Sequence, residues 1–284
     1  MAKKSAGILA YRVKNHLFEV LLVHPGGPFW KNKDNGAWSI PKGEPDNEEE
    51  DLQKAAIREF KEETGTDLNG NFIALAPVKQ KGGKTVYAFA VEFDADVNQI
   101  TSNKITINWP PKSSKKIVIP EVDRAEYFNI IDAAEKINPA QSALIGDLLQ
   151  KVHGLNNKQI DKVKQLGNII RSAKLIRFYY ESKRSEGKEF KDYREVEPYL
   201  IGKYIKDRNK ALSMSGYFWP TKKQEADKEQ KGQGNYLVDK IDPEKLETLD
   251  KMFDTIKVKE SNIHNTPTMI IFYKSDKPFA KNVD

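Results

Sequence analysis

The sequence predicts a two-domain α/β protein, with a first half that alternates strand-like and helix-like stretches and a second, smaller half rich in short strands. Three observations carry this reading. The 284 residues exceed what one ordinary domain needs. Hydrophobic residues at 38% and charged residues at 31% fit globular units with heavily charged surfaces. The charge is unevenly placed: residues 1–154 hold 20 Lys and Arg against 21 Asp and Glu, a net −1, leaving 27 against 20, a net +7, in residues 155–284. A neutral half joined to a basic half implies two units with different partners.

From the amino end, Ala6–Tyr11 reads as a first β-strand and Glu19–His24, with its run Val20-Leu21-Leu22-Val23, as a second. Arg12 and Lys14 break the first apolar run before it reaches the length of a secretory core or a membrane span. The chain is therefore expected to begin directly with its fold and to need no membrane. A helical pattern covers Leu52–Glu63 and a strand pattern Thr85–Phe93. Asn138-Pro139 opens a helix in which Leu144, Ile145, Leu148, Leu149 and Val152 recur at helical spacing. Gly154-Leu155-Asn156-Asn157 has the chemistry of a helix stop and sets the expected boundary between domains 1–154 and 155–284. Beyond it, Ile160–Ala173 has a helical period, Lys174–Tyr180 is rich in strand formers, and short strands follow. The polar run Lys222–Asn235 holds two glycines and no large apolar residue, which predicts an exposed loop. No cysteine is present, so disulfides and thiolate zinc sites are excluded and a reducing, cytoplasmic compartment is expected.

The segment that carries chemistry is Pro41-Lys42-Gly43-Glu44, an acidic stretch to Asp51, and then Arg58-Glu59-Phe60-Lys61-Glu62-Glu63-Thr64-Gly65. On a helix, Glu59 meets Glu62 at i+3 and Glu63 at i+4, which crowds three carboxylates onto one face. Their repulsion opposes the helix unless a cation sits between them, and all-oxygen ligands suit magnesium or manganese. A solvated acidic face would carry the same residues, so the cluster alone does not decide between the two. Ala55 and Ala56 are expected beside these glutamates, leaving space above the helix, with Ile57 and Phe60 turned to the core.

Gly43, Glu50, Arg58-Glu59, Glu62-Glu63 and Gly65 together resemble the Nudix box, the glycine-loop-helix signature of hydrolases that act on nucleoside diphosphate-linked compounds. Trp38-Ser39-Ile40-Pro41-Lys42-Gly43-Glu44 and the later Pro120-Glu121-Val122-Asp123-Arg124-Ala125-Glu126-Tyr127-Phe128 also resemble family segments, and the likeness spans about residues 5 to 152. The spacing departs by one residue: the loop after Gly43 leaves either Glu49 or Glu50 as the first glutamate of the box. The resemblance implies an α-β-α sandwich and metal-assisted attack of water on a phosphoanhydride. It implies Mg2+ or Mn2+ held by Glu59, Glu62, Glu63 and Gly43, Arg58 paired with Glu49 or Glu50, and Glu121 or Glu63 as general base. Lys42 and Gly43 are the expected phosphate contacts, although a surface lysine fits position 42 nearly as well. In His24-Pro25-Gly26-Gly27-Pro28-Phe29-Trp30 and at Trp38, aromatic rings stand either as a base-stacking wall or in the core.

In the second half, Ile176–Tyr180, Tyr193–Tyr199 and Tyr236–Ile241 resemble strands of a WYL domain, a small SH3-like barrel that often senses nucleotides or nucleic acids. Arg177, Arg194 and Lys240 would then be its ligand contacts, although the namesake tripeptide is missing. Solvated strand residues fit the same three positions. The expected partners are a nucleotide substrate and, at the second domain, a nucleotide, a nucleic acid or a second copy of the chain. Three functions remain open from sequence: a hydrolase, a nucleotide sensor without turnover, and an RNA 5′-end pyrophosphohydrolase.

Overall fold

The computed structural model describes residues 3–183, 189–204, 211–219, 231–253, 256 and 269–278. Two compact units emerge, residues 1–12 with 19–155 and residues 13–18 with 156–284.

In the first unit the strands are β1 (Lys4–Lys14), β2 (Leu17–Pro25), β3 (Lys42–Gly43), β4 (Ile73–Ala74), β5 (Val78–Lys79), β6 (Thr85–Glu92), β7 (Lys104–Asn108), β8 (Lys116–Pro120) and β9 (Val122–Asn129). The helices are α1 (Leu52–Thr64), α2 (Ile130–Lys136) and α3 (Ser142–His153). The sheet runs β9-β2-β1-β6-β4, with β3 added to β1 and β5 to β6. β1 lies parallel to β6, and β9 antiparallel to β2. Seven consecutive residues of β1 are buried, a pattern for a strand covered on both faces rather than one. Ala55, Ala56 and Phe60 of α1 pack with Ala6, Ile8 and Ala10 of β1, Leu21 and Val23 of β2, and Val91 of β6. α2 and α3 bury Ile130, Ile131, Leu144, Ile145, Leu148 and Leu149.

Ala55 and Ala56 are thus fully buried against the sheet, where the sequence suggested open space beside the glutamates. Small side chains let the helix backbone approach the strands, and this close approach brings Glu63 inward. β7 and β8 form a separate antiparallel hairpin that the sequence reading left unassigned.

The second unit begins with α4 (Asn157–Ser172), whose Asn156 and Gln159 make a reciprocal capping box. Its strands are β10 (Lys174–Lys183), β11 (Glu189–Tyr204), β12 (Leu212–Trp219), β13 (Gly232–Leu237), β14 (Ile241–Met252) and β15 (Met269–Lys274). They pair antiparallel in the order β14-β10-β11-β12-β13, with β15 on the far end of the long β11. No pairing among the described residues closes this order into a barrel. Gly232–Asn235, expected in a loop, belongs to β13, because each of these residues pairs with the buried strand β12. The rest of that run, 222–230, and Lys206, Arg208 and Lys210 lie outside the described residues. Among the described residues no helix is long and apolar enough to cross a membrane.

Candidate functional site

The site is assembled by three local decisions of the chain. Ala6 pairs with Gly43 and Gly7 with Lys42, which lays the Lys42-Gly43 pair along β1. Asp51 caps α1, its carboxylate accepting from the Gln53 and Lys54 amides at 3.0 Å each. Gly65 ends the helix at φ 69° and donates its N–H to the Lys61 carbonyl at 2.7 Å.

Between these ends the helix presents its acidic face. Arg58 sits among it: Nη1 donates to Glu59 at 2.8 Å and to Glu62 at 2.9 Å, while Nε and Nη2 each reach Glu50 at 3.3 Å. A further bond from Nη2 to the Glu44 carbonyl, at 3.1 Å, clips the loop to the helix. Burial works against the Arg58 charge, but hydrogen bonds to Glu50, Glu62 and Glu59 outweigh it and hold the guanidinium protonated. Of the two candidate first glutamates, Glu50 therefore faces Arg58, and the additional residue is absorbed in the loop before it.

Glu63 is 6% exposed and accepts the Lys42 amide at 3.1 Å. Burial pushes its carboxyl up to about 8, the proximity of Glu121 and Glu59 adding to the rise and Lys42 opposing it. Burial likewise raises Glu59, against the pull of Arg58. A Cβ on Gly43 would lie 1.9 Å from a Glu59 carboxylate oxygen, so a larger residue there would displace the Glu59 side chain.

Lys42, Gly43, Glu59, Glu62, Glu63, Glu121 and Trp30 all line one cleft of about 640 Å³. Trp38 does not join them. It is 1% exposed, its ring packed edge-on to His24 and Phe128 and its N–H bonded to Asp34 at 2.8 Å, so of its two readings the structure selects the core. His24 is buried as well, bridging Asp123 at 2.7 Å and the Lys33 carbonyl at 2.8 Å, and it offers no face to a base. Gly26, Gly27, Pro28 and Phe29 do reach the cleft. The sequence reading passed over Lys84, which pairs with Glu44 at 2.7 Å, and Ile105, Ile107 and Ile119 of the β7–β8 hairpin, all of which line the cleft.

The donor set for a divalent cation is all oxygen, and the crowding of like charges around buried Glu63 and half-buried Glu59 gives a cation something to neutralise. Those residues fit such a cation chemically. No group of three acidic or imidazole side chains among the described residues stands in a finished ligand cage; Glu59 and Glu62 turn an oxygen each to Arg58 instead.

In the second unit, the register separates the two arginines singled out from sequence. Arg177 pairs across the strands with Glu195, and Arg194 with Phe178. Successive side chains on a strand face opposite ways, so Arg177 and Arg194 stand on opposite faces and do not share a ligand.

Solved structures similar to the chain include a binary complex of the Ap4A hydrolase of C. elegans, 22% identical over 54% of this chain and 99% of that one, with a TM-score of 0.38. The NUDIX domain of Shewanella oneidensis NrtR, complexed with ADP ribose, is 15% identical over 54% of this chain and 89% of its own, at a TM-score of 0.38. MutT from Aliivibrio salmonicida and Vibrio cholerae is 15% identical over 52% and 95%, at 0.33. No curated protein matches the chain. The family model of the NUDIX domain matches residues 1–145, half of the sequence, and the chain belongs to that family.

Proposed function

We propose that the first unit is a metal-dependent pyrophosphohydrolase that cleaves a phosphoanhydride bond in a nucleoside diphosphate-linked substrate. The observation that carries this is the convergence of Glu59, Glu62, Glu63 and Glu121 with Lys42 and Gly43 in one cleft. Mg2+ or Mn2+ held by Glu59, Glu62, Glu63 and the Gly43 carbonyl would neutralise phosphoryl charge and lower the pKa of the attacking water. Lys42 sets a positive charge against the phosphates. Arg58 braces the acidic face by holding Glu50, Glu59 and Glu62 in fixed positions. Glu121 is the proposed general base: among the described residues no hydrogen bond ties up its carboxylate, while its backbone is held by bonds to Gly26 and Asn103.

For residues 155–284 the proposal is an accessory, WYL-like domain that binds a nucleotide or nucleic acid, supported by its strand-rich fold and its net charge of +7.

The test is a magnesium-dependent product-release screen over nucleoside triphosphates, dinucleoside polyphosphates, ADP-ribose, NAD and capped RNA. Cleavage of at least one anhydride, lost on chelation, is expected. Tight binding with no turnover would replace the hydrolase by a sensor, and cleavage of monoesters alone would end the phosphoanhydride reading.

A further inference from the structure

His24 is fully buried in the first unit, and the phosphoanhydride chemistry does not use it. Its ring bridges two segments of the chain: Nδ1 lies 2.7 Å from Asp123 Oδ1, and Nε2 lies 2.8 Å from the Lys33 carbonyl oxygen. A carbonyl only accepts, so Nε2 carries a hydrogen. Asp123 Oδ1 and Nδ1 then share one hydrogen between them, since two bare lone pairs at that distance would repel. Both ring nitrogens are thus committed to holding the chain together.

What they hold is a bulge. Along β2 and β9, Val23 pairs with Ala125 and His24 with Arg124, but Pro25 pairs with Val122. Asp123 is the extra residue, and no residue of β2 pairs with it. An inserted residue reverses the alternation of side chains beyond it. Val122 accordingly joins Ala125 and Val23 in the core beneath α1, where unbroken alternation would turn it to the opposite face. Glu121 comes next, and its carboxylate lines the cleft, close enough to Glu59 and Glu63 to bear on the ionisation of both. The Glu121 peptide is held by the Gly26 amide at 2.9 Å and the Asn103 carbonyl at 2.8 Å, and the Val122 amide by the Ser102 hydroxyl at 2.9 Å. Those bonds fix where the corner lies, whereas the bulge sets which face each side chain takes. A bulge disrupts the ladder, and a buried hydrogen bond to its extra residue offsets that loss.

We propose that His24 is a positioning residue for Glu121: through Asp123 it holds the β9 bulge that aims the Glu121 carboxylate at the acidic face of α1. In this respect the inference rests on the reading of Glu121 as general base. With regular pairing, Val122 and Glu121 would exchange faces and the carboxylate would leave the cleft. The far side of the imidazole, on the Lys33 carbonyl, ties the same bulge to the segment that carries Phe29 and Trp30, both of which line the cleft. A catalytic group displaced by about 1 Å loses on the order of 100-fold in rate, so a side chain that never meets the substrate still governs turnover.

Asp123 is the end of the bridge to change, because its side chain is 30% exposed while His24 is completely buried. Asp123→Ala removes the bridge. Asp123→Asn keeps it, the amide donating to Nδ1 while the Nε2 hydrogen stays on the Lys33 carbonyl. On the substrate cleaved fastest in the anhydride screen, Asp123→Ala is expected to lower kcat by about tenfold or more with KM within about twofold of the parent, and Asp123→Asn to stay within about threefold in kcat. In a Glu121→Gln background, Asp123→Ala should cost nothing further, because its effect passes through the missing carboxylate. Equal loss in both backgrounds, or the same loss from the asparagine as from the alanine variant, would overturn the proposal. The 13C shift of the Glu121 carboxyl, assigned by its absence in Glu121→Gln and read in chelator, follows positioning without turnover. It should move in Asp123→Ala and stay in Asp123→Asn; a resonance unmoved in both would equally overturn the proposal. If the parent cleaves no anhydride, the hydrolase reading falls, and the carboxyl shift alone decides whether His24 aims Glu121.

Discussion

A carboxylate with almost no exposure has to be supported by its surroundings whenever it ionises. Glu63 is such a group, and burial holds its carboxyl near 8 against an ordinary value of 4.5. The folded state therefore keeps its proton where the unfolded chain has lost it, so stability from this residue is complete below about pH 4.5 and falls as pH rises towards 8. Glu63→Gln removes a penalty on the order of a few kcal/mol at alkaline pH and keeps an acceptor for the Lys42 amide. In chelator, the variant should melt above the parent at pH 9 and together with it at pH 4; parallel melting curves across this range would show that Glu63 is not desolvated. The same variant should lose activity by on the order of 100-fold or more with Mg2+, since it deletes a ligand charge. Undiminished turnover would end its assignment as a ligand. Glu121→Gln tests a different role. Loss of a general base lowers kcat by about 100-fold or more, while the Mg2+ concentration for half-maximal rate stays put. A shifted Mg2+ requirement would make Glu121 a metal ligand instead.

At the scale of elements, helix α1 was legible because its ends and its register are written in local chemistry. Asp51, the glutamates at i+3 and i+4, and Gly65 each act within a turn of their own position, and the helix spans Leu52–Thr64, one residue beyond the expected Leu52–Glu63. What local chemistry does not encode is which side faces the sheet. Ala55 and Ala56 are small enough to suit open space or a tight helix-sheet contact, and only the strands beneath them decide. Trp38 was open for the same reason, since an indole serves a core and a binding wall equally well. The hairpin β7–β8 had a signal, the alternation Ile105, Ile107 and Ile117, Ile119, but Trp-Pro-Pro-Lys-Ser-Ser-Lys between the strands has none of the short Asn-Gly or Asp-Gly turn chemistry that marks a tight hairpin. The two ends of α1 also differ in what their loss costs. Asp51→Ala forfeits one exposed cap and should lower stability by about 1 kcal/mol. Gly65→Ala meets a left-handed backbone, and its Cβ would lie 2.1 Å from the Thr101 hydroxyl, so about 1–3 kcal/mol is expected. Denaturant melts that rank the cap variant as the more costly would mean that the helix end moves freely from Thr101.

On the scale of the whole molecule, the asymmetry of charge is the property that strand patterns and pockets do not capture. Residues 155–284 carry the +7, and such an excess attracts polyanions. Tyr179, Tyr180, Phe218 and Trp219 are the rings of this half that could stack on bases, but their alternation with apolar neighbours fits a core equally, and the fold engages them within their own unit. Tyr180 and Phe218 are buried, Lys245 lies over the Tyr179 ring at 4.5 Å, and Lys251 lies over Trp219 at 5.6 Å while the indole N–H is bonded to Glu197. Arg194, over Phe218 at 4.2 Å, and Arg177, over Tyr193 at 4.6 Å, are likewise engaged with rings of their own unit. Base stacking is worth about 1–3 kcal/mol per base where it occurs, and without it only the phosphate attraction is left. The full chain should therefore bind single-stranded oligonucleotides at low salt with no preference between oligo-A and oligo-U. Each phosphate neutralised contributes about −0.7 to the slope of log affinity against log salt, so several contacts weaken binding steeply between 50 and 200 mM, on the order of tenfold or more. Fluorescence anisotropy of labelled oligonucleotides at these two concentrations measures both quantities. A clear preference for one base would restore stacking, and an absence of affinity at 50 mM would mean that the positive charge serves another partner.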